Sequence, residues 1–515
     1  MRDGKVWMKG KVYLIGAGPG DPGLITLRGV KCLQEADVVI YDHLANPRLL
    51  SHAKPGAELI YAGKKGGEAD VTPQEEIGRL LIEKALAGKV VARLKGGDPF
   101  IFGRGGEEGL ELFQAGIPFE VVPGVTSAIA VPAYAGIPLT HRNYASTVAF
   151  LTGHEDPLKD SSAIAWDKVA TGIGTLVFLM GVGHLPSIVE KLIKHGRPSE
   201  TPAAVIQWGT KPEQQTVTGT LETIVALAEA RGLGPPAILV VGDVVRLREQ
   251  LAWFERRPLF GKRILVTRAR EQAEGFAELL EAEGAEVVHF PLITFAPPHT
   301  WKPLDQAIEQ LETYRWVIFT SANGVDAFFL RLRALRQDAR LLGAAKICAI
   351  GPATAEALEK HSILPDILPR EFRAEGIIEA FAAHDLQGAR ILLPRAEVAR
   401  DFLPRELEKR GATIDVVPAY RTVKAVSDRE VLKQLLQDRK IDFVTFTSSS
   451  TVTHFVELLE KEDLKALLEG VRVACIGPIT RETAERFGLT VDIMPEQYTI
   501  PGLVQSILDY YAAPS

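Results

Sequence analysis

The second half of the chain contains an internal duplication. Lys262–Phe295 (KRILVTRAREQAEGFAELLEAEGAEVVHFPLITF) matches Ala389–Thr422 (ARILLPRAEVARDFLPRELEKRGATIDVVPAYRT). The strand-turn Val317–Val325 (VIFTSANGV) matches Val444–Val452 (VTFTSSSTV), and Ala349–Leu358 (AIGPATAEAL) matches Cys475–Ala484 (CIGPITRETA), all at nearly one spacing. A single pair of similar units is no solenoid, which needs more and shorter repeats. It predicts two similar α/β lobes, and a cleft between facing lobes is a common place for a ligand.

The first half is built differently. From Lys11 to about Val245, short apolar runs alternate with longer helical patterns. Val12–Ile15, Val38–Tyr41, Val90–Leu94, Phe119–Val122, Val148–Leu151, Leu176–Met180, Ala204–Gln207 and Ile238–Val241 read as strands buried on both faces of an α/β sheet. Between them Pro73–Ala87 reads as a helix, with Thr72 as N-cap and Pro73 in the first helical position. The charge-rich stretch 246–261 carries Trp253 and Phe254 and reads as a linker with an aromatic anchor. The division is therefore 11–245, a linker at 246–261, and 262–515. With 515 residues the chain has room for about three or four domains.

Composition narrows the function classes. A 46% hydrophobic, 24% charged chain is neither disordered nor collagenous. Net charge −6 provides no global field for nucleic acid or an anionic membrane, so no partner of either kind is expected. Cys32, Cys348 and Cys475 lie far apart and form neither a metal-binding nor a disulfide pattern; no metal is expected, and they read as small buried hydrophobes in a reducing compartment. Apolar runs fall short of membrane-span length, and MRDGKVWMKGKVYLIG lacks the pattern of a cleaved leader, so a cytoplasmic protein is expected.

Gly16-Ala-Gly-Pro-Gly-Asp-Pro-Gly23 follows a strand but misses the dinucleotide fingerprint, because Asp21 stands where the third glycine belongs and Pro19 and Pro22 intrude. It reads either as a tight turn or as close backbone against a nucleotide-like ligand other than NAD. GGDPFIFGRGGEE (Gly96–Glu108), VVPGVTS (Val121–Ser127) and YAGIPLTHR (Tyr134–Arg142) likewise put Gly or Pro directly after strands, where open α/β sheets bind ligands. A carboxylate such as Asp98 accepts hydrogen bonds from a ribose or an amine.

Together with VIYDHL, AGKKGG, TPQEEI, LTGH, FLMG, QWGT and VVGDVV, these strings resemble the tetrapyrrole methyltransferases, and most closely the uroporphyrinogen-III C-methyltransferases, across residues 11–250. The resemblance implies a non-Rossmann, two-lobed α/β fold, S-adenosylmethionine as cofactor, and a homodimer formed through this domain. Carried over residue by residue, the cofactor contacts are Pro19, Gly96, Gly97, Asp98, Ile101, Thr126, Ser127, Met180, Gly209 and Ala237, with Ser127 standing where relatives often have Ala. The family's acid/base pair falls on Asp42 and Lys64. Arg104 and Arg142 are candidate clamps for substrate carboxylates, since guanidinium binds carboxylate in a bidentate fork. Without the resemblance, Asp42 is an ordinary strand-end carboxylate, Lys64 a solvated lysine, and the two arginines surface ion pairs.

In the second half, TSANG (320–324) and TSSS (447–450) read first as helix N-caps and second as carboxylate seats; Gly351-Pro352 and Gly477-Pro478 would act likewise with Thr354 and Thr480. The ordered set ILVTRA, FTSANGV, AIGPATAEAL, LPRA, VPAYRT, FTSSSTV and CIGPITRETA resembles the uroporphyrinogen-III synthases across about 262–515. The resemblance implies a chain that leaves one lobe and returns, with lobe one at 262–297 plus 422–515 and lobe two at 298–421. It maps Tyr420 to a tyrosine that assists hydroxyl departure. Ser448, Ser449, Ser450 and Thr480 map to substrate-binding positions, and Arg472 to a basic residue that meets substrate. The plainer reading of Tyr420 is a packing aromatic at a hinge.

The two resemblances imply a bifunctional enzyme of porphyrin synthesis, on the way to sirohaem or cobalamin. It would cyclise hydroxymethylbilane to uroporphyrinogen III, inverting the last pyrrole, and then methylate that product twice to precorrin-2. Both substrates carry many carboxylates, so local basic pockets are expected inside an acidic protein. With no further dinucleotide-binding domain in view, the reaction is expected to stop at precorrin-2. The alternatives are a methyltransferase for a later corrin intermediate, against which YDHL, AGKKGG and PLTHR argue, and a methyltransferase gated by a non-catalytic tetrapyrrole-sensing module.

Overall fold

The computed structural model describes residues 10–63, 73–153, 163–426, 428–460 and 462–512. The chain divides between Gly261 and Lys262 into two compact units. In the first unit, β1 (Lys11–Gly16), β2 (Val38–Tyr41), β3 (Glu58–Tyr61), β4 (Val90–Lys95) and β5 (Phe119–Val122) form a sheet in the order β3-β2-β4-β1-β5. All of its pairings are parallel. A second sheet takes β6 (Val148–Thr152), β7 (Thr175–Leu179), β8 (Pro202–Gln207), β9 (Gln215–Thr220) and β10 (Ala237–Val241) in the order β6-β7-β10-β8-β9. Only β6 and β7 are parallel there; β10 pairs antiparallel with both neighbours, as does β8 with β9.

Every strand expected from apolar runs is present. The two that escaped notice, β3 and β9, lie at sheet edges, where one side needs no apolar partner and the sequences ELIY and QTVTGT carry polar residues. The helix expected at Pro73–Ala87 runs Gln74–Leu86 with Pro73 itself at the N-cap; Thr72 lies outside the described residues.

The stretch 246–261 is not a free connector. Phe254 and Leu259 are buried, and the Phe254 ring lies 4.8 Å from that of Tyr134. Trp253 Nε1 donates to the Ala133 carbonyl at 3.0 Å, and Arg248 Nη1 donates to that of Ala135 at 2.5 Å. This much burial makes the segment part of the first unit.

In the second unit, β11 (Arg263–Val266), β12 (Glu286–His289), β18 (Phe443–Phe446) and β19 (Arg472–Cys475) form a parallel sheet in the order β12-β11-β18-β19. The other sheet holds β13 (Ile293–Ala296), β14 (Trp316–Phe319), β15 (Lys346–Ala349), β16 (Arg390–Ala396) and β17 (Thr413–Lys424) in the order β13-β17-β16-β14-β15. The duplication reaches into the cores. Phe319 packs edge-on to Phe328 at 5.5 Å, and at the matching positions Phe446 packs edge-on to Phe455 at 5.3 Å. The chain does leave one lobe and return. The changeover falls elsewhere than at 297 and 422, because β13 pairs antiparallel with the end of β17, Ile293 opposite Lys424 and Ala296 opposite Arg421. Both crossing segments thus extend the middle lobe's sheet, while Phe290 and Leu292 are still packed in the core of the first.

Candidate active sites

Three strand ends meet at one point in the first unit. Gly16 ends β1, Gly97 follows β4, and Gly124 follows β5. A Cβ on Gly16 would lie 2.4 Å from Gly124 Cα and 2.7 Å from the Gly97 carbonyl; one on Gly124 would lie 2.4 Å from that same carbonyl. Backbone therefore touches backbone, which explains glycine at positions 16 and 124, while Gly97 takes a φ of +70°, a left-handed conformation that favours glycine. Above this floor opens a cavity of about 480 Å³, the size of a small cofactor site. All ten residues assigned to cofactor contact line it: Pro19, Gly96, Gly97, Asp98, Ile101, Thr126, Ser127, Met180, Gly209 and Ala237.

The surrounding loops are held by hydrogen bonds rather than by packing alone. Asp98 Oδ1 accepts from the amides of Phe100 (2.8 Å) and Ile101 (3.1 Å), and Oδ2 accepts from Gly124 N at 3.0 Å. Asp21, the residue that spoils the dinucleotide pattern, ties its loop down: Tyr134 Oη donates to Oδ2 at 2.7 Å, and Asp21 N donates to Thr210 Oγ1 at 3.1 Å. Burial and that bond push the Tyr134 phenol up, so it remains a donor. Among the described residues of this unit, the non-glycine residues with positive φ are Phe102, Arg104, Met180, Trp208 and Thr210. Three of them line the cavity and the other two are next in sequence to lining residues. Such strain concentrates where a scaffold holds a ligand.

Asp42 stands just outside this cavity, two residues before the lining residue Leu44. Its Oδ1 accepts from Leu44 N (3.0 Å) and Ala45 N (3.2 Å), and its Oδ2 is 3.5 Å from Arg93 Nη2. Arg93 and Lys95 occupy alternate positions of β4 and are both buried, facing the fully buried Glu108 of the helix Gly105–Gln114. Glu108 Oε1 accepts from Lys95 Nζ at 2.7 Å and from Gln74 Nε2 at 2.9 Å, with Arg93 Nε at 3.4 Å. Two buried cations are thus balanced by Glu108 and Asp42. Burial, and then the neighbouring Arg93, hold the Lys95 amine below its ordinary value.

The remaining methylase-side assignments are less concentrated. Lys64 lies outside the described residues. Arg104 does not line the cavity; it is exposed and forked onto Glu107 at 2.6 and 2.8 Å. Arg142 is exposed in the turn between His141 and Ala145.

In the second unit, the turns following parallel strands gather in two groups. On one lobe, Ser448 Oγ caps the helix Ser449–Leu458 by accepting from Thr451 N and contacts Ser450 Oγ at 3.0 Å. Ser449 Oγ donates to Ile479 O at 3.3 Å, joining this turn to the Gly477-Pro478 turn and the buried Thr480. On the other lobe, Tyr420 Oη lies 3.1 Å from Ser321 Oγ, and the Tyr420 ring packs edge-on to Phe295. Burial raises the Tyr420 phenol, while the hydrogen bonds to Ser321 and Asn323 oppose that shift. Across the lobes, the Gln272 amide donates to Asn323 Oδ1.

Arg472 does not join either group. It opens β19, whereas Thr480 lies beyond the other end of that four-residue strand, which spans roughly 10 Å. Its guanidinium pairs with Asp492 at 3.2 Å.

Comparison with known proteins matches the two halves of the chain to two family models. Residues 11–225 match the tetrapyrrole (corrin/porphyrin) methylases, and residues 274–505 match uroporphyrinogen-III synthase HemD. The porphyrin biosynthesis protein HemD of Ruminiclostridium josui is 38% identical over 500 residues, 97% of this chain and 98% of that protein. The chain belongs to this family of fused tetrapyrrole methylase and uroporphyrinogen-III synthase proteins. The methylase half alone is 54% identical to the uroporphyrinogen-III C-methyltransferase of Priestia megaterium, over 46% of this chain and 98% of that one. A solved uroporphyrin-III C-methyltransferase from Thermus thermophilus aligns with 48% of this chain and 97% of its own, at 45% identity and a TM-score of 0.40.

Sequence reasoning missed the Arg93–Glu108–Lys95 cluster in the methylase half. The available signal was two charged residues at alternate positions of an otherwise apolar central strand, which require a buried anion opposite them. In the synthase half it missed Ser321, Asn323 and Gln272 as neighbours of Tyr420, since contacts between lobes leave no spacing in sequence.

Proposed function

We propose that the synthase half closes hydroxymethylbilane to uroporphyrinogen III with inversion of the last pyrrole, and that the methylase half then methylates that product at two carbons to give precorrin-2. The observation that carries this reading is the match, over nearly the full length, to a porphyrin biosynthesis protein, together with the methylase and synthase family models that the two halves of this chain match. S-adenosylmethionine supplies an electrophilic methyl group on a sulfonium. The glycine floor leaves room for a ligand against bare backbone, Asp98 offers carboxylate lone pairs beyond its three amide bonds, and Met180 and Trp208 line the cavity from strained turns. Binding energy there goes into orienting the methyl group towards the attacking carbon. Asp42 accepts the proton that leaves the macrocycle, and Lys64 neutralises substrate carboxylates or returns a proton.

In the synthase half, Tyr420 retains its proton and gives it to the departing hydroxyl of hydroxymethylbilane, so that water leaves as the C–O bond breaks. Ser448, Ser449, Ser450 and Thr480 hold the chain folded so that closure occurs at the inverted position. Arg104 and Arg142 clamp carboxylates of uroporphyrinogen, Arg104 once it exchanges Glu107 for substrate. The protein works in the cytoplasm as a homodimer through the methylase half, a reading supported by Leu110 and Phe113, exposed three residues apart on one helix.

Asp98→Ala tests the cofactor seat. Loss of its bonds to the Phe100, Ile101 and Gly124 amides is expected to raise the S-adenosylmethionine dissociation constant by about tenfold or more in calorimetry. Unchanged affinity would remove Asp98 from the site.

A further inference from the structure

One glycine of the Gly16–Gly23 loop is not explained by the floor of the cavity. Gly20 takes a φ of +150°, and a Cβ there would lie 2.9 Å from Lys211 Cγ and 3.0 Å from Lys211 Cε. The lysine stem therefore runs along bare backbone, and glycine at position 20 makes the room. The ammonium of the same residue lies 4.8 Å from the centroid of the Trp208 ring, the contact of a cation with the negative face of an aromatic. Two separate surfaces thus order a side chain whose rotamer freedom is costly to remove.

The turn that carries Lys211 is held just as firmly. Trp208 and Thr210 both have positive φ, 50° and 70°. Thr210 is buried; its Oγ1 accepts from Asp21 N at 3.1 Å, and its amide donates to Gln214 Oε1 at 2.9 Å. Gln214 donates through Nε2 to Glu255 Oε1 at 2.7 Å and through its backbone amide to the Lys211 carbonyl at 2.9 Å. Backbone strain persists where the surroundings fix it at several points, and such places cluster at ligand sites.

Lys211 lines the cofactor cavity, and among the described lining residues it is the one lysine or arginine. An ordered cation there needs a reason. The cofactor brings a sulfonium and an ammonium into the same space, and like charges repel. The placement becomes favourable when an anionic group of the bound ligands meets it. Both ligands carry carboxylates: S-adenosylmethionine has one at its amino-acid end, and the macrocycle has several. The Trp208 ring also lies 6.3 Å from that of His43, edge to face, and His43 follows the proton acceptor Asp42. One aromatic ring therefore connects the lysine with the loop of the reaction.

We propose that Lys211 is a ligand-binding residue of the methylase half: its ammonium, held against Gly20 and Trp208, seats one carboxylate of the cofactor and macrocycle pair. The inference rests on the methylase reading and adds to it the cation that the ten assigned cofactor contacts lack.

The test uses the full chain with Lys211→Met and Lys211→Arg. Methionine keeps an unbranched stem along Gly20 and removes the charge, whereas arginine keeps the charge. Three quantities are read: KM for uroporphyrinogen III, and the dissociation constants of S-adenosylhomocysteine and of methylthioadenosine, which lacks the amino-acid end. In Lys211→Met one of the first two is expected to rise by about tenfold, with Lys211→Arg between it and the parent. A higher KM with both dissociation constants unchanged places the seated carboxylate on the macrocycle. Weaker S-adenosylhomocysteine with unchanged methylthioadenosine places it on the cofactor. Parental values for all three would overturn the proposal. Equal weakening of S-adenosylhomocysteine and methylthioadenosine would overturn it too, since that marks a damaged cavity rather than a lost ion pair. Should Lys211→Met not fold, Lys211→Gln is read against the same outcomes. If the parent chain transfers no methyl group to uroporphyrinogen III, the methylase reading fails, a result distinct from a parent that works and a variant that matches it.

Discussion

Glu108→Ala is expected to destabilise the methylase half by about 3–5 kcal/mol, read as a shift of its unfolding transition in denaturant. Glu108 is fully buried and takes Lys95 Nζ at 2.7 Å and Gln74 Nε2 at 2.9 Å, with Arg93 alongside. Removing it strands two buried cations whose remaining anion, Asp42, is a quarter exposed and 3.5 Å from Arg93. Such a pair adds little net stability against an apolar substitute, but breaking one side of it is expensive. Lys95→Met in the same chain is therefore expected to recover part of the loss, a coupling that a double-mutant cycle measures. A loss below about 1 kcal/mol, the scale of an exposed ion pair, would show that water reaches the cluster. The synthase half, a separate compact unit, is expected to retain its activity.

Asp42→Asn is expected to slow methyl transfer by about 100-fold or more, the scale of a lost proton acceptor, with S-adenosylmethionine affinity within about twofold of the parent. The substitution suits the question because asparagine keeps an oxygen for the Leu44 and Ala45 amides, so the turn retains its anchor. The cavity itself is lined by Leu44 rather than by Asp42, which separates chemistry from cofactor binding. Single-turnover methyl transfer and calorimetry on the same preparation give both numbers. Unchanged turnover would remove Asp42 from the reaction, and a matched loss of cofactor affinity would make it a structural residue of the loop.

The sequence was most legible where one physical demand fixes one residue type. Gly16 and Gly124 leave no room for a Cβ between their backbones, and Gly97 holds a φ of +70° that favours glycine, so their motifs stand out. The same holds for the buried strands, whose apolar runs located eight of them. Edge strands β3 and β9 escaped because half-exposed backbone tolerates polar residues. In the stretch 246–261 the aromatic anchor was legible, and Phe254 lies beside Tyr134, but the pairing of Arg248 with Glu255 at 2.5 Å arises only on folding. The Glu108 cluster and the Tyr420–Ser321–Asn323–Gln272 contacts are products of packing between distant segments, and only the folded chain assembles them.

The central claim, two consecutive activities in one chain, is tested by one anaerobic experiment. Purified protein receives hydroxymethylbilane alone, and a second sample also receives S-adenosylmethionine; products are oxidised and separated by isomer. The account predicts uroporphyrin III from the first sample and a dimethylated product from the second. Isomer I alone in the first sample would contradict it and leave the second half without catalysis, as a tetrapyrrole-binding module attached to the methylase.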